Sequence, residues 1–448
     1  MSTFVGERAV VLGGSITALF AVSALSESYR EVVVVDRDEL LGVREARRGA
    51  PQARHINGLL ARGARAMEEL FPEITAQMIS AGCPQTDLSG TVRWYFNGKP
   101  LKQVRAGLTN VGARRPVMEA HVRERVQALG NVTFMERYDI TGLATSPDRS
   151  RVTGARVQRR DGGTEETVEA DLVVDATGRG SRTPLWLESL GYPRVEEEGT
   201  KIGLGYVTRH YRLRTDPFGT DHSIIAVANP TLPRGAIFTK TDSGLVELTA
   251  YGLLGDHPPT DPDGFNAFVS TLAAKEIHEA IIEAEPLDDP VLFRFPTTLR
   301  RRYDKMTRFP ERLIVLGDAV CTPNPVFAQA QSLAALQALA LRDQLRRGTA
   351  PDSLRLMREV GRIIDPAWDM TEGVNLSFPG VEGNRTPMLK LMQAYMYRVQ
   401  VAATRDAAVT EQFMRSAGLV DPLEALMRPG MLLRVLRNSR PAPQGAPV

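Results

Sequence analysis

Three glycine-containing turns in the sequence have the composition that a bound dinucleotide requires. The first, in VVLGGSITALFA, places Gly13, Ser15 and Ala18 at the three small-residue positions of a G-x-G-x-x-G/A turn. Small residues are needed there because the chain bends sharply, approaches a pyrophosphate and packs its helix closely on a strand. Asp36 follows about twenty residues later, at the end of the next apolar run, where a carboxylate can bind a ribose hydroxyl. A turn with one glycine at these positions can also arise by chance, and Asp36 can also cap a strand end.

Two later turns have a related composition. In DLVVDATGRGSRTPLWL an apolar run ends at Asp175 and turns through Gly178. An ordinary strand, turn and helix would look the same, so this turn alone leaves structural and functional roles open. In RLIVLGD the run ends with Gly317 and Asp318, and an aspartate there can accept a hydrogen bond from a ribityl hydroxyl.

The elements that would hold these turns follow from the pattern of apolar residues. Arg8–Asp38 has the pattern of a buried strand, a turn, a helix and a second buried strand, which predicts a parallel sheet. Lys201–Leu254 alternates short β-rich runs with Pro, Gly and Asp, as in an antiparallel sheet with one solvated face. From Ser353 onward the pattern is helical. The expected fold class is α/β, with a Rossmann-like parallel sheet, an antiparallel sheet domain and C-terminal helices.

Composition argues against several classes of partner. Lys and Arg total 55 against 53 for Asp and Glu, so the net charge of +2 does not favour nucleic acid. The densest basic cluster, RRRYDKMTR at Arg300–Arg308, is expected to be a solvated surface. The six histidines show no metal-ligand spacing, and a metal site is not expected.

The cellular location is expected to be the cytoplasm. The only cysteines are Cys83 and Cys321, which lie far apart in the sequence and suggest a reducing compartment. The N-terminus has no export signal pattern, and the apolar run Ala9–Leu25 is interrupted by small polar residues and is too short for a membrane span.

Together, and in this order, the three turns resemble the FAD-binding set of the flavoprotein monooxygenases related to p-hydroxybenzoate hydroxylase. Within that superfamily the sequence is most similar to the bacterial polyether polyketide epoxidases, such as those of lasalocid and monensin biosynthesis. The resemblance runs from about residue 8 to about residue 435. The segments that carry it are RRGAPQARH, RRPVMEAHVRERV, VVDATGRGSR, GDAVCTPNPVF, DPAWDMTEG and FPGVEGNR.

The resemblance implies which residues would bind FAD. The first turn would line the pyrophosphate and Asp36 the adenosine ribose, while Arg54 and Arg115 would face the phosphate or ribityl side. Asp175 would support the fold behind the cofactor, and Asp318 would hold the ribityl chain. Arg54 and Arg115 could instead form ordinary surface ion pairs. The full expected cofactor-binding set is Gly13, Gly14, Ser15, Ala18, Asp36, Arg37, Arg54, Arg115, Asp175, Gly178, Gly317, Asp318, Pro325, Ala328 and Ala330.

One motif departs from the family. The helix after the Gly-Asp motif usually begins GQG, which lets backbone N–H groups approach the flavin ring, but here the segment reads AQAQS with Ala328 and Ala330 in place of the glycines. A methyl group fills space and makes a positive φ costly. Two functions therefore remain open. One is a monooxygenase that epoxidises or hydroxylates an apolar polyketide-like substrate, with NAD(P)H as a transient reductant or a separate flavin reductase. The other is a redox-neutral cyclase, for example for a [4+2] cycloaddition, in which FAD has a structural role.

The expected organisation interleaves two domains. The expected partner is a small-molecule substrate, with no nucleic acid and no membrane span. The protein is expected to be a monomer or homodimer. No catalytic acid or base can be assigned. The expected segments are an FAD-binding domain at 1–72, 111–195 and 301–350, a substrate domain at 73–110 and 196–300, C-terminal helices at 351–438 and a disordered tail at 439–448. Candidate substrate-pocket residues are Phe218, Phe238, Tyr251, Phe293, Phe327 and Trp368.

Overall fold

The computed structural model describes residues 4–241 and 244–439, so residues 440–448 of the expected tail lie outside the described residues. The strands are β1 (Gly6–Leu12), β2 (Tyr29–Asp36), β3 (Gln85–Asp87), β4 (Val92–Phe96), β5 (Lys99–Pro100), β6 (Thr109–Val111), β7 (Val132–Glu136), β8 (Tyr138–Thr145), β9 (Val152–Arg159), β10 (Glu166–Glu169), β11 (Leu172–Asp175), β12 (Glu197–Glu198), β13 (Lys201–Arg212), β14 (Ser223–Ala226), β15 (Arg234–Lys240), β16 (Val246–Gly252), β17 (Glu285–Pro286), β18 (Val291–Thr297), β19 (Leu299–Arg301), β20 (Leu313–Val315) and β21 (Cys321–Thr322). The helices are α1 (Ile16–Ser26), α2 (Ala61–Leu70), α3 (Ile74–Ser80), α4 (Arg115–Gln127), α5 (Thr183–Ser189), α6 (Pro262–Ser270), α7 (Lys275–Ile282), α8 (Ala330–Leu345), α9 (Ser353–Asn375), α10 (Pro387–Ala403), α11 (Ala407–Ala417) and α12 (Pro429–Asn438).

The chain divides into two compact units. The first comprises the residues up to Cys83 together with Ala113–Gly199 and Thr297–Thr371. The second comprises Pro84–Gly112, Thr200–Pro296 and the chain from Glu372 onward. The result is the expected α/β class, with a parallel sheet, further antiparallel sheets and C-terminal helices.

A five-stranded parallel sheet organises the first unit, in the order β20, β11, β1, β2, β7. Its central strands are runs of Val and Leu without alternation, as expected when helices cover both faces. The predicted strand, turn, helix and strand over Arg8–Asp38 are present as β1, α1 and β2. Helix α1 is buried around its circumference because α2, α4 and α8 all pack on it.

The second unit contains an eight-stranded sheet in the order β17, β13, β16, β15, β14, β4, β5, with β18 also paired to β13. Along the order from β17 to β5, every pair is antiparallel except β14 with β4. One face of the sheet packs on α6 and α7 and forms an apolar core. In the described part of the chain no helix has the length and apolar composition needed to cross a membrane.

The prediction of a solvated basic surface at Arg300–Arg308 is wrong for its first residues. The Arg300 side chain is fully buried, and it donates to the Gly361 carbonyl and pairs with Asp365 at 2.6 Å. Arg301 is also buried and donates to the carbonyls of Ala319 and Arg179. These arginines tie β19 to neighbouring segments, which a charge count cannot reveal because it does not report burial.

Candidate functional site

The first glycine turn joins β1 to α1 and has no room for side chains. Gly13 has φ +99°, and a Cβ there would lie 2.6 Å from the Ala176 carbonyl oxygen. A Cβ at Gly14 would lie 2.4 Å from a methyl carbon of Leu40. Ala18 is fully buried in α1. The turn therefore brings backbone N–H groups and the positive end of α1 to the edge of the sheet, where an anion can bind.

Ser15 occupies the N-cap position of α1 but does not cap it. Its hydroxyl donates to Glu119 Oε2 at 3.0 Å and accepts from Arg115 Nη2 at 3.1 Å. The first helical residues, Ile16 and Thr17, carry no charge. The N–H groups of this first turn have no carbonyl partners within the helix. They are thus suited to a phosphate oxygen.

Asp36 lies at the end of β2, next to the glycine turn. Its carboxylate accepts from the Gly14 N–H at 2.6 Å and the Asp38 N–H at 2.8 Å. Burial raises the pKa of Asp36 above its ordinary value, against the lowering effects of the Asp38 N–H and Arg47. Asp36 therefore fixes the backbone of the turn, and its side chain is 13% exposed.

A buried charge cluster behind the turn was not predicted from the sequence. Arg47 pairs with Glu119 at 2.6 Å, Asp38 at 3.1 Å and Asp36 at 3.7 Å. Burial raises the pKa of the Glu119 carboxyl, but Arg115, Arg47 and Arg123 outweigh it and hold the pKa below the ordinary value. Arg47 begins the RRGAPQARH segment of the resemblance, which is the only sequence signal that could have indicated it.

Asp175 ends β11 and organises the second turn. Its carboxylate is fully buried and accepts from the Thr177 N–H and from the hydroxyls of Thr177, Ser181 and Thr183, at 2.5 to 2.9 Å. Gly178 follows with φ +78° and open space where a side chain would be. Asp175 therefore holds the backbone and hydroxyl groups of this loop through four hydrogen bonds.

The third turn follows β20 and is fixed to two helices. Gly317 has φ +63°, and a Cβ there would lie 2.5 Å from Thr17 Oγ1 in α1. Its N–H donates to Gln337 Oε1 in α8 at 2.7 Å. Burial raises the pKa of Asp318, and the positive charges of Arg115 and Arg179 act against that increase. Arg115 therefore lies within electrostatic reach of Asp318 and also contacts Ser15.

These turns share one edge of the parallel sheet. Strands β20, β11, β1 and β2 are consecutive neighbours, and all run in the same direction. Each ends at or just before a predicted residue, so these residues lie on one edge. The residues in question are Gly317 and Asp318 after β20, Asp175 on β11, Gly13 after β1 and Asp36 on β2.

Ala328 has a left-handed backbone conformation, which usually favours glycine. A short 3-10 turn at Pro325–Phe327, in which the Asn324 side chain accepts from the Val326 N–H, precedes it. Ala328 then has φ +53° and ψ +29°, in the left-handed region. Ala330 is the first residue of α8. The chain therefore adopts a positive φ at an alanine, a conformation that is expected to be costly.

The segment Asn57–Gly63 packs against this loop and was not predicted to be functional. A Cβ at Gly58 would lie 2.8 Å from the Ala328 Cβ. The Leu60 N–H donates to Ser332 Oγ at 2.9 Å, and Gln331 Nε2 donates to Asn57 Oδ1. The methyl group of Ala328 thus faces a glycine on the neighbouring segment.

The remaining expected residues are placed as follows. Arg37 and Arg54 are exposed, as is Pro325. Phe218 and Phe238 lie in the core of the second unit, with ring centroids 4.9 Å apart, and so have the ordinary core role. Tyr251 points to the opposite face of the sheet and accepts from the Ala228 N–H, and Phe293 stacks on Tyr206. Phe327 and Trp368 belong to the first unit.

A family model described as an FAD binding domain matches residues 56–202, which include Arg115, Asp175 and Gly178. Protein Rv3254 of Mycobacterium tuberculosis is 32% identical over 437 residues, which cover 93% of this chain and 90% of that protein. The chain belongs to the family of Protein Rv3254. An alignment that covers 93% of the chain includes residues of both units.

Solved structures show that the fold of this Rv3254 relative is that of flavin-dependent monooxygenases and halogenases. A triple mutant of the flavin-dependent brominase Bmp2 matches with a TM-score of 0.67 at 13% identity, over 96% of this chain and 98% of that one. The p-nitrophenol 4-monooxygenase PnpA from Pseudomonas putida DLL-E4 matches with a TM-score of 0.64 at 14% identity, over 94% and 100%. These matches show that the chain shares the fold of these flavoproteins.

Proposed function

We propose that this protein is an FAD-dependent monooxygenase that epoxidises or hydroxylates a large apolar, polyketide-like substrate. The observation that carries the proposal is the shared sheet edge. Motifs that lie far apart in the sequence, from Gly13 to Asp318, end four neighbouring parallel strands on the same side. Ligands of open α/β sheets bind at this edge because strand ends and helix N-termini meet there.

The residues present fit FAD. Neither Gly13 nor Gly317 has space for a Cβ atom. The glycine at each position therefore leaves the backbone uncovered by a side chain at the sheet edge. Arg115 Nε is buried, and within the described residues it has no hydrogen-bond partner, although Glu119 lies 3.7 Å away. A buried arginine in this state can bind a phosphate or ribityl oxygen. Ser15 and the α1 N-terminus would hold the pyrophosphate, Asp36 the ribose and Asp318 the ribityl chain.

When bound, FAD would supply electron acceptance and oxygen transfer, and the protein would bind, orient and exclude water. The N-terminus of α8 carries a partial positive charge that can stabilise negative charge on a nearby group. Its loop retains the left-handed residue at position 328. The retained loop shape supports a flavin site that still takes part in redox chemistry.

A redox-neutral cyclase is the second candidate, and Ala328 and Ala330 favour it. Each alanine adds a methyl group at the loop where the family usually has glycine. In this case FAD would shape an apolar cavity, and the reaction would depend on proximity and orientation of the reacting groups. Each of Tyr251, Phe293, Phe327 and Trp368 remains a proposed substrate-contact residue for either function.

Flavin redox behaviour of the purified protein distinguishes the two candidates. The visible spectrum and the flavin released on denaturation give the cofactor content. Anaerobic reduction is then followed with NADH, with NADPH and with a separate flavin reductase, and reoxidation is followed after oxygen is added. A flavin that is reduced and then reoxidised supports the monooxygenase. A bound flavin that resists all three reductants contradicts it and supports the cyclase, and a protein that binds no flavin contradicts both.

The alanines are tested with the Ala328→Gly and Ala330→Gly double variant. If the methyl groups limit flavin reduction, the variant will be reduced faster than the wild type under the same anaerobic conditions. Equal rates in both proteins would show that the methyl groups do not control this step.

A further inference from the structure

Two amide side chains meet at the first turn of α8 and leave polar atoms unsatisfied. Gln331 Nε2 donates to Asn57 Oδ1. Gln331 is only 6% exposed. Asn57 Nδ2 and Gln331 Oε1 are both buried, and neither has a hydrogen-bond partner in the part of the chain that the structure describes. The pair therefore offers one donor and one acceptor.

This conclusion does not depend on how the amide groups are oriented. An amide has a donor nitrogen and an acceptor oxygen at equivalent positions, so the group can be turned over by 180°. An amide-to-amide contact uses one donor and one acceptor. If both side chains were turned over, the free atoms would be the Asn57 oxygen and the Gln331 nitrogen. One donor and one acceptor are left in either case.

Neighbouring polar groups on α8 are satisfied by the protein. Ser332 Oγ accepts from the Leu60 N–H, and Gln337 Oε1 accepts from the Gly317 N–H. Gln329 is half satisfied, since its Oε1 accepts from Thr371 while its buried Nε2 has no partner among the described residues. Leaving buried donors and acceptors unpaired costs about 1 to 3 kcal/mol each. Their grouping at the helix N-terminus indicates a ligand with complementary polar atoms.

We propose that Asn57 and Gln331 together bind the pyrimidine edge of the FAD isoalloxazine. This inference rests on the proposed FAD binding. The edge carries an N3–H donor between two carbonyl acceptors, so one unpaired donor and one unpaired acceptor on the protein are complementary to it. The two amides meet at the first turn of α8, beside Ala328. The partial positive charge of the helix N-terminus favours electron-rich carbonyl oxygens at this place.

FAD affinity of near-isosteric variants tests the proposal. FAD is removed from the purified holoprotein, and binding is measured by quenching of FAD fluorescence for the wild type, Asn57→Leu, Gln331→Met and the double variant. Each single variant is expected to bind FAD about 5- to 20-fold more weakly, because a buried ligand hydrogen bond is lost. The absorption bands of the flavin and its midpoint potential should also shift.

ADP provides a matched ligand and Gln158→Leu a matched protein control. ADP contains the adenosine and pyrophosphate part of FAD but lacks the isoalloxazine, so its affinity should be unchanged in the Asn57 and Gln331 variants. Gln158 is an exposed amide on β9, and its replacement should alter neither ligand. A second test uses the wild type with 3-methyl-FAD, in which the N3–H is blocked, and weaker binding than that of FAD is expected.

Several outcomes would overturn the inference. Unchanged FAD affinity and spectrum in the variants would exclude the contact, as would equal affinity for FAD and 3-methyl-FAD. An equal loss of FAD and ADP affinity would show that the pair is only structural. A wild type that binds FAD normally while the variants do not differ would leave the proposed function intact. A wild type that binds neither ligand would contradict the proposed function as well.

Discussion

Gly58 and Ala328 face each other so closely that a Cβ at position 58 would lie 2.8 Å from the Ala328 Cβ. Such a distance is shorter than ordinary carbon contacts. The glycine on one segment therefore accommodates the methyl group on the other. This relationship explains how the loop before α8 keeps a left-handed residue without glycine at that position.

Restoring glycine at position 328 should stabilise the protein. Alanine at φ +53° carries a cost of about 1 to 2 kcal/mol that glycine avoids, partly offset by the larger entropy of glycine in the unfolded chain. Ala328→Gly is therefore expected to raise the Tm by about 1 to 3 °C. Ala330→Gly is the matched control, because Ala330 begins α8 in the helical conformation and its replacement should lower the Tm. Shifts of the same sign in thermal unfolding would contradict this account.

Gly58→Ala should destabilise the protein, and Ala328→Gly should rescue it. The added methyl group meets Ala328, and overpacking of this kind costs about 1 to 3 kcal/mol. In the Ala328→Gly background the contact is absent. Urea unfolding of the two single variants and the double variant measures the coupling, which should exceed about 0.5 kcal/mol. Additive effects would mean that the two residues do not interact.

Arg300 should contribute far more to stability than Arg308, although both belong to one basic cluster. Arg300→Ala removes a buried side chain and leaves the Gly361 carbonyl and Asp365 without it, at a cost of about 2 to 4 kcal/mol. Arg308 is exposed and stacks on the Tyr192 ring, so Arg308→Ala should cost about 1 kcal/mol or less. Denaturant unfolding of both variants at one pH provides the comparison, and similar losses would be inconsistent with the burial of Arg300.

His55 should make the free energy of unfolding depend on pH between about 4 and 6.5. Burial, and then the charge of Arg54, lower the pKa of His55 to about 4 from an ordinary value of 6.5. In that interval the unfolded chain binds a proton that the folded protein does not, so stability falls as the pH falls. The contribution is complete above pH 6.5 and lost as the pH approaches 4, with a slope of up to about 1.4 kcal/mol per pH unit.

The matching variant is His55→Gln, which cannot take up this proton. Urea unfolding at pH 8, 6 and 5 should show that the wild type loses stability faster than the variant on acidification. The difference in the free energy of unfolding between the two proteins at pH 8 supplies the reference. At that pH His55 is neutral in both the folded and the unfolded wild type. Parallel pH profiles would show that His55 is not held neutral by the fold.

Features that depend on local composition could be predicted from the sequence. Apolar runs with a small-residue turn indicated β1, α1 and β2, and the same reasoning indicated the turns at Asp175 and Gly317. Each of these signals is contained in a stretch of about ten to thirty residues, where periodicity and turn chemistry determine the backbone. Neighbouring parallel strands then place such turns on one edge.

The tertiary structure alone decided which distant residues meet. Asn57 and Gln331 are 274 residues apart, and nothing in either segment indicates that their amides are in contact. The same holds for Gly58 beside Ala328, Arg47 beside Glu119 and Arg300 buried against Asp365. A sequence pattern reports that a position is apolar, charged or small, but burial and partner are properties of packing between segments. The motifs of the candidate site were therefore determined by the sequence, whereas the groups that surround and complete them were decided by the fold.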